Sequence, residues 1–259
     1  MRAIIKVGTS TLTYETGRMN IRGIEKLCKV ISDLMNAGHE IVFVSSGAIG
    51  LGVGKLLLKV KPKDMPTKQA CAAVGQCELM FVYDNEFSKY NHNIAQILIT
   101  KADIESAENH RNFINTMEKL LSFGVLPIIN ENDTISTEEI SIGDNDTLAA
   151  NVAVSAKADL LILLSDIDGL YSKNPREDKS ARLISVVEEI TPQVIKAASG
   201  KGSSLGTGGM LTKIHAAKIA TENGIDMVIA NGKDANILYD IFEGKPVGTR
   251  FKGKKESFI

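Results

Sequence analysis

Short apolar runs alternate with amphipathic stretches along the whole chain. Runs this short and this apolar are typical of strands that are covered on both faces. They predict strands over residues 4–7, 40–45, 94–99, 125–129, 160–164 and 226–230. Helical spacing of apolar residues predicts helices over 21–37, 67–90, 111–123, 147–156, 192–198, 210–223 and 235–242. Strands that alternate with helices indicate βαβ units around a mostly parallel sheet.

Length and composition narrow the class of protein. A chain of 259 residues can bury one large core, and no linker rich in Pro, Gly or Ser divides it, so we expect one compact α/β domain. The formal net charge of −1 argues against a nucleic-acid partner. No apolar run reaches the roughly 18–20 residues of a membrane span, which argues against a membrane protein. The chain begins with a strand rather than a signal peptide, and its three cysteines match no disulfide or zinc pattern, so we expect reduced thiols and a cytoplasmic protein.

Two lysine-bearing glycine loops indicate that the protein handles phosphate groups. Residues 6–10 (KVGTS) follow the first strand, at the end where open α/β sheets bind ligands. A surface turn needs the same residue types, so this loop alone decides nothing. Residues 199–209 carry five glycines and enter a helix that contains Lys213, which fits a phosphate site at a helix N-terminus but no Walker A loop. Together the two loops predict a phosphoryl-transfer enzyme.

Two further loops follow predicted strands and leave alternatives open. Residues 45–50 (SSGAIG) offer hydroxyls and glycines, which suit an anion site or a close helix–sheet contact equally well. A dinucleotide fingerprint is absent from this run. Residues 165–171 (SDIDGLY) carry carboxylates that can face a base, a ribose or a cation, although a plain turn would have the same composition.

Two acidic-amide clusters lie between the lysine loops. Residues 130–133 (NEND) follow the strand 125–129, and residues 143–146 (GDND) lead into a helix. Amides can donate to a carboxylate and carboxylates can accept from an ammonium, so the pair suits recognition of an amino acid. A turn with a helix cap explains the second cluster alone, but the coincidence of both favours a binding site.

In this order, the motifs resemble those of the amino acid kinase family. The resemblance is carried by residues 5–10, 44–49, 130–133, 143–146 and 206–213, and it covers nearly the whole chain. It implies an α/β fold, a three-layer αβα sandwich with a mostly parallel central sheet. It also implies a single amino acid kinase domain over residues 1–259, without the C-terminal PUA domain that many members carry.

The paired clusters resemble those of family members that phosphorylate the side-chain carboxylate of L-glutamate with ATP, the first step of proline biosynthesis. The resemblance implies that Lys6 and Lys213 neutralise the transferring phosphoryl group and that Asp146 orients both lysines. It implies glutamate binding by Ser46, Asp133 and Asn145. It implies no protein metal site, because Mg²⁺ would be bound mainly through the ATP phosphates. The implied ATP contacts are Lys6, Gly8, Ser165, Asp166, Thr207, Gly208, Gly209, Met210, Leu211, Thr212 and Lys213.

The resemblance also implies partners and leaves competing functions to test. It implies a homo-oligomer, a dimer or a tetramer, and it suggests a hand-off of the labile product to glutamyl phosphate reductase. A sister kinase acting on acetylglutamate, aspartate, carbamate or a nucleoside monophosphate would share the fold. A nucleotide or amino-acid sensor would share it too, although both lysines argue for an enzyme.

Overall fold

An eight-stranded sheet forms the centre of the protein. The computed structural model describes residues 1–14, 16–60, 62–136, 145–175, 177–198 and 209–254. The strand order in the sheet is β3-β4-β2-β1-β5-β7-β8-β6. The strands are β1 (Arg2–Val7), β2 (Glu40–Val44), β3 (Ile94–Ile99), β4 (Leu126–Glu131), β5 (Leu160–Ser165), β6 (Val186–Val187), β7 (Asp226–Asn231) and β8 (Thr249–Phe251). The strands from β3 to β7 in this order all pair in parallel with their neighbours, and β6 is parallel to β8, whereas β8 is antiparallel to β7.

Helices connect the strands and cover both faces of the sheet. They are α1 (Thr9–Leu12), α2 (Ile21–Asn36), α3 (Ala48–Lys55), α4 (Met65–Ser88), α5 (Lys101–Glu105), α6 (Ala107–Ser122), α7 (Asn145–Ser155), α8 (Pro192–Ala198), α9 (Met210–Glu222) and α10 (Ile237–Phe242). Side-chain caps fix several starts: the Asp64 carboxylate accepts from the Thr67 N–H ahead of α4, and the Ser106 hydroxyl accepts from the Asn109 N–H ahead of α6. Within the described residues no helix is both long and apolar enough to cross a membrane.

Two separate cores, one on each face of the sheet, make the protein a three-layer αβα sandwich. Side chains alternate between the faces along each strand. On β1, Ile5 faces a core that includes α2 and α4, and Ile4 faces a core that includes α6, α7 and α9. The predicted fold class is therefore confirmed.

The structure differs from the sequence-based elements in several places, and helices α1 and α5 and strand β6 were not predicted at all. Residues 48–55, predicted as a loop, form α3 despite three glycines. Helix α4 begins two residues early, because Pro66 is compatible with a first helical turn and Asp64 caps it. Residues 249–251, which resemble part of a polar tail, form β8, with Thr249 and Phe251 fully buried.

Glycines hold α3 unusually close to α4. A Cβ atom built on Gly75 would lie 1.7 Å from the carbonyl oxygen of Ala48, and one on Gly52 would lie 1.9 Å from that of Cys71. No side chain fits at either position, so the two backbones are in direct contact. The position of this crossing determines the position of the N-terminus of α3, which follows the carboxyl end of β2. Of the 45–50 run, Ala48 takes part in this helix–helix contact, whereas Cβ atoms built on Gly47 and Gly50 would lie against Thr9 of α1.

The carboxyl ends of six parallel strands, β1 to β5 and β7, lie at one edge of the sheet. Backbone hydrogen bonds tie the first residues beyond them together: Gly8 N–H donates to Leu164, Ser45 N–H to Ile129 and Gly232 N–H to Ser165. Ligands of open α/β sheets bind at this edge.

Candidate active site

Two lysines share one buried carboxylate at this edge. The Nζ of Lys6 lies 2.7 Å from Oδ1 of Asp146, and the Nζ of Lys213 lies 3.0 Å from Oδ2 of the same side chain. Asp146 is 1% exposed, and both lysines are buried. The Thr212 hydroxyl lies 3.1 Å from Oδ2 of Asp146 and 2.8 Å from the carbonyl oxygen of Gly209. Three residues that are far apart in the chain thus form one charged cluster.

Each member of the charged cluster, Lys6, Asp146 and Lys213, is placed by a different element. Lys6 is on β1 and shares the face of Ile4, which is covered by α7 and α9. Asp146 lies in the first turn of α7, and Lys213 lies in the first turn of α9. Because the N-termini of both helices point to the sheet edge, their dipoles add positive potential there.

The electrostatics of Asp146 favour its ionised form. Burial alone would raise the pKa of this carboxyl group, but the charges of Lys6 and Lys213 and their hydrogen bonds outweigh burial and hold the pKa well below its usual range. The three side chains together carry two positive charges and one negative charge. A net charge of +1 in a buried position is suited to an anionic ligand.

The residue next to Asp146 belongs to a second cluster, made of amides. The Asn145 side-chain NH₂ lies 2.8 Å from the carbonyl oxygen of Ser45, 3.0 Å from Oγ of Ser46 and 2.9 Å from Oδ1 of Asn130. Asn145 is on α7, the serines follow β2, and Asn130 is on β4. The amide thus joins the carboxyl ends of two strands to the start of a helix.

Helix α4 extends this amide network into the core. The Asn130 NH₂ donates to Oε1 of Gln76 at 2.9 Å, and the hydroxyls of Ser45 and Tyr83 lie 2.8 Å apart. Tyr83 is fully buried, and burial raises the pKa of its phenol. Sequence reasoning missed Gln76 and Tyr83. A signal for Gln76 exists, since it lies on the same helical face as the apolar residues Ala72 and Leu79.

The glycine loops lie beside these clusters. A Cβ on Gly8 would lie 3.8 Å from Nζ of Lys6, so this loop is adjacent to the charged cluster. The N–H of Gly8 itself donates to Leu164 and is used within the fold. Gly47 precedes α3 with φ of 93°, a left-handed conformation that favours glycine and turns the chain into the helix.

The other predicted ligand contacts lie around the same edge. Ser165 ends β5, and its hydroxyl donates to the exposed Asp166 carboxylate at 3.2 Å. Asp133 is in the turn after β4. Gly209, Met210 and Leu211 form the entry to α9, with Leu211 half exposed. Thr207 and Gly208 lie outside the described residues.

A protein metal site is not evident in the described part of the chain. No three His, Cys, Asp or Glu side chains of the described residues form a group that could hold a metal ion.

The chain is similar to known proteins over nearly its whole length. The model of the amino acid kinase family matches residues 1–231. The glutamate 5-kinase of Clostridium perfringens (strain 13 / Type A) is 52% identical over 258 residues, which cover 98% of this chain and 96% of the relative. The glutamate 5-kinase of Thermoanaerobacter sp. (strain X514) is also 52% identical, and the match covers 99% of this chain and 69% of that protein.

Solved structures share the fold at much lower identity. The UMP kinase of Bacillus anthracis superimposes with a TM-score of 0.66 at 16% identity, covering 98% of this chain and 96% of the other. The UMP kinase of Ureaplasma parvum gives the same TM-score at 15% identity, covering 97% and 98%. At this identity the likeness concerns the fold alone.

Proposed function

This chain belongs to the amino acid kinase family, and on that premise we propose that it transfers the γ-phosphoryl group of ATP to the side-chain carboxylate of L-glutamate. The product is L-glutamyl 5-phosphate, formed in the first step of proline biosynthesis. Curated relatives at 52% identity over nearly the whole chain carry the name glutamate 5-kinase, which supports this acceptor.

The observation that carries the proposal is the sharing of Asp146 by Lys6 and Lys213. An anionic acceptor must approach a polyanionic donor, so the main barrier is electrostatic repulsion. Asp146 holds both ammonium groups at one point, with Nζ–O distances of 2.7 and 3.0 Å. Their net positive charge stabilises the transferring phosphoryl group from two sides. Asp146 acts as a positioning residue for the lysines.

The reaction needs no general base. The glutamate side chain is ionised at neutral pH, so one carboxylate oxygen can attack the γ-phosphorus directly. A carboxylate O–P bond forms as the bond from the γ-phosphorus to the β,γ-bridging oxygen breaks in line, and that electron pair leaves with ADP. No covalent enzyme intermediate arises.

We assign recognition of glutamate to Ser46, Asp133 and Asn145, the last of which directly precedes Asp146 of the charged cluster. ATP binds through the loops that contain Gly8 and Ser165-Asp166 and through residues 207–213, which include the start of α9. Mg²⁺ held by the ATP phosphates would neutralise part of their charge. Within the described residues no three His, Cys, Asp or Glu side chains form a group that could hold a metal ion, and no step here is assigned to the metal.

The wider setting is also proposed. All three cysteines are free, which suits a reducing compartment such as the cytoplasm. We propose a homo-oligomer, a dimer or a tetramer, and a hand-off of the labile acyl phosphate to glutamyl phosphate reductase.

ADP release measured across acceptors tests the proposed function. The purified protein is given Mg-ATP with glutamate, N-acetylglutamate, aspartate, carbamate or UMP, and ADP is coupled to NADH oxidation. We expect the highest kcat/KM with glutamate. A higher value with another acceptor would identify a sister kinase, and no release with any acceptor would favour a sensor.

A further inference from the structure

The amide network has a polarity that two backbone groups dictate. The carbonyl oxygen of Ser45 can only accept a hydrogen bond, so the Asn145 atom 2.8 Å away must be its NH₂ group. The N–H of Glu131 can only donate, so the Asn130 atom 2.9 Å away must be its oxygen. Neither side chain can rotate by 180° without setting two donors or two acceptors against each other.

The polarity then passes along the network to α4. Because Oδ1 of Asn130 is committed to Glu131 and Asn145, its NH₂ must face Gln76. The Gln76 atom that receives it at 2.9 Å is therefore the side-chain oxygen. Asn130 is 1% exposed and Gln76 is 8% exposed, so water does not readily replace either partner. A polar group left without a hydrogen-bond partner at this buried position would destabilise the fold, because its lost hydration would not be compensated.

The same logic defines which end of Asn145 meets a ligand. Its two N–H bonds are shared among three acceptors on the protein side. Its carbonyl oxygen accepts from no donor in the described part of the chain. The half-buried Asn145 therefore presents an acceptor, and an acceptor recognises a donor.

We propose that Gln76 and Asn130 are positioning residues that lock the Asn145 amide with its oxygen toward the substrate, so that Asn145 accepts a hydrogen bond from the α-ammonium group. This inference rests on the proposed function and refines it. Glutamate has two carboxylates, which only accept, and one ammonium group, which is its only strong donor. The relay of amides, Gln76–Asn130–Asn145, thus selects for a free amino group.

A change in substrate discrimination tests the relay. Glutarate has both carboxylates of glutamate and no ammonium group. In Gln76→Met the side chain keeps its length and loses the acceptor for Asn130. We expect kcat/KM for glutamate to fall about tenfold relative to that for glutarate, the effect of weakening one hydrogen bond to a charged group. The KM for ATP should stay within about twofold, because the charged cluster is intact.

Matched variants separate the relay from general damage. Gln96→Met makes the same chemical change at an exposed position of β3 and should leave the glutamate-to-glutarate ratio unchanged. Gln76→Glu keeps an oxygen for Asn130 and should retain most of the ratio. If Gln76→Met does not fold, Gln76→Asn provides the test, because its side chain is one methylene group shorter and its oxygen lies farther from Asn130.

Two results would overturn the inference in distinguishable ways. Suppose that the wild type releases ADP with glutamate, but a folded Gln76→Met or Gln76→Asn keeps the glutamate-to-glutarate ratio of the wild type. This result would overturn the relay alone. A wild-type protein that releases no ADP with glutamate would overturn the proposed function and the relay with it.

Discussion

The charged cluster and the amide relay meet at adjacent residues of α7, yet they work by different physics. Asp146 holds Lys6 and Lys213 by charge, and charge acts over several ångströms and in every direction. Asn145 is held by hydrogen bonds that demand one orientation. The difference predicts a division of labour, in which the charged cluster sets turnover and the relay sets recognition of the acceptor.

The largest expected effect comes from breaking the charged cluster at its centre. Asp146→Asn leaves two buried ammonium groups without their carboxylate, so we expect a loss of about 3–5 kcal/mol in the free energy of unfolding. Turnover should fall by about 10³-fold, because neither lysine keeps its position. Denaturant unfolding and the ADP assay measure the two effects.

A surface ion pair provides the control for Asp146→Asn. Asp178→Asn breaks the contact of 2.7 Å between Asp178 and Lys173, both of which are at least one-third exposed. We expect a much smaller loss of stability than in Asp146→Asn, and normal turnover, because solvent screens an exposed ion pair. Equal losses in the two variants would contradict a special role for Asp146.

Acid should remove the contribution of Asp146. Its folded pKa lies below its unfolded value, so the stabilisation is complete above the unfolded pKa of about 3.9 and is lost as the pH falls through the folded pKa. The stability difference between wild type and Asp146→Asn should therefore shrink below about pH 4. Unfolding curves from pH 7 to pH 3 measure it, and a constant difference would contradict the assignment.

A paired kinetic experiment tests the division of labour directly. Lys213→Ala should lower kcat by about 10²- to 10³-fold with a smaller change in KM for glutamate, since it removes charge needed at transfer. Asn145→Ala should instead raise the KM for glutamate by about tenfold. A near-normal kcat in Lys213→Ala would contradict this division of labour. So would an Asn145→Ala variant in which only the KM for ATP changes.

The fold was largely predictable because apolar strands and amphipathic helices differ in period. Helix α3 was not, since its three glycines disfavour a helix locally. What stabilises it is the backbone contact of Gly52 and Gly75 with the partner helix, which lies between residues far apart in the sequence. Strand β8 was missed because three residues are too few for a periodic pattern.

The site was predictable in part. Lys6 and Lys213 follow from glycine loops next to lysines, and the pairing of both with Asp146 was implied by the family resemblance alone. The roles of the predicted ligand contacts stay predictions. Gln76 was missed because one glutamine in an apolar helix carries no local sign of its partner, which is on β4.

The α3–α4 crossing lies near both clusters. Ser46, just before α3, contacts Asn145. Gly47 and Gly50 lie against Thr9 of α1, shortly after Lys6. A change at the crossing should therefore affect turnover and acceptor recognition together.

Gly75→Ala places a methyl group 1.7 Å from the carbonyl oxygen of Ala48 and forces the helices apart. We expect a loss of about 1–3 kcal/mol in stability and increases in both KM values, because the start of α3 moves. Ala73→Ser, which adds one atom on the exposed side of α4, should change stability by less than about 0.5 kcal/mol. If Gly75→Ala is destabilised but keeps normal KM values for glutamate and ATP, the α3–α4 crossing does not determine the geometry of the site.

The smallest effect should come from Tyr83, which contacts the amide region without orienting it. Tyr83→Phe removes the hydroxyl 2.8 Å from that of Ser45, and we expect a loss of about 1 kcal/mol in stability. The KM for glutamate should change by less than about twofold, because the backbone carbonyl of Ser45 holds Asn145 and its hydroxyl does not. Tyr239→Phe, which removes an exposed hydroxyl bonded to Asp33, is the matched control. If Tyr83→Phe raised the KM for glutamate as much as Asn145→Ala, orientation of Asn145 would depend on the Ser45 hydroxyl, and the relay would extend through Tyr83 as well as through Gln76.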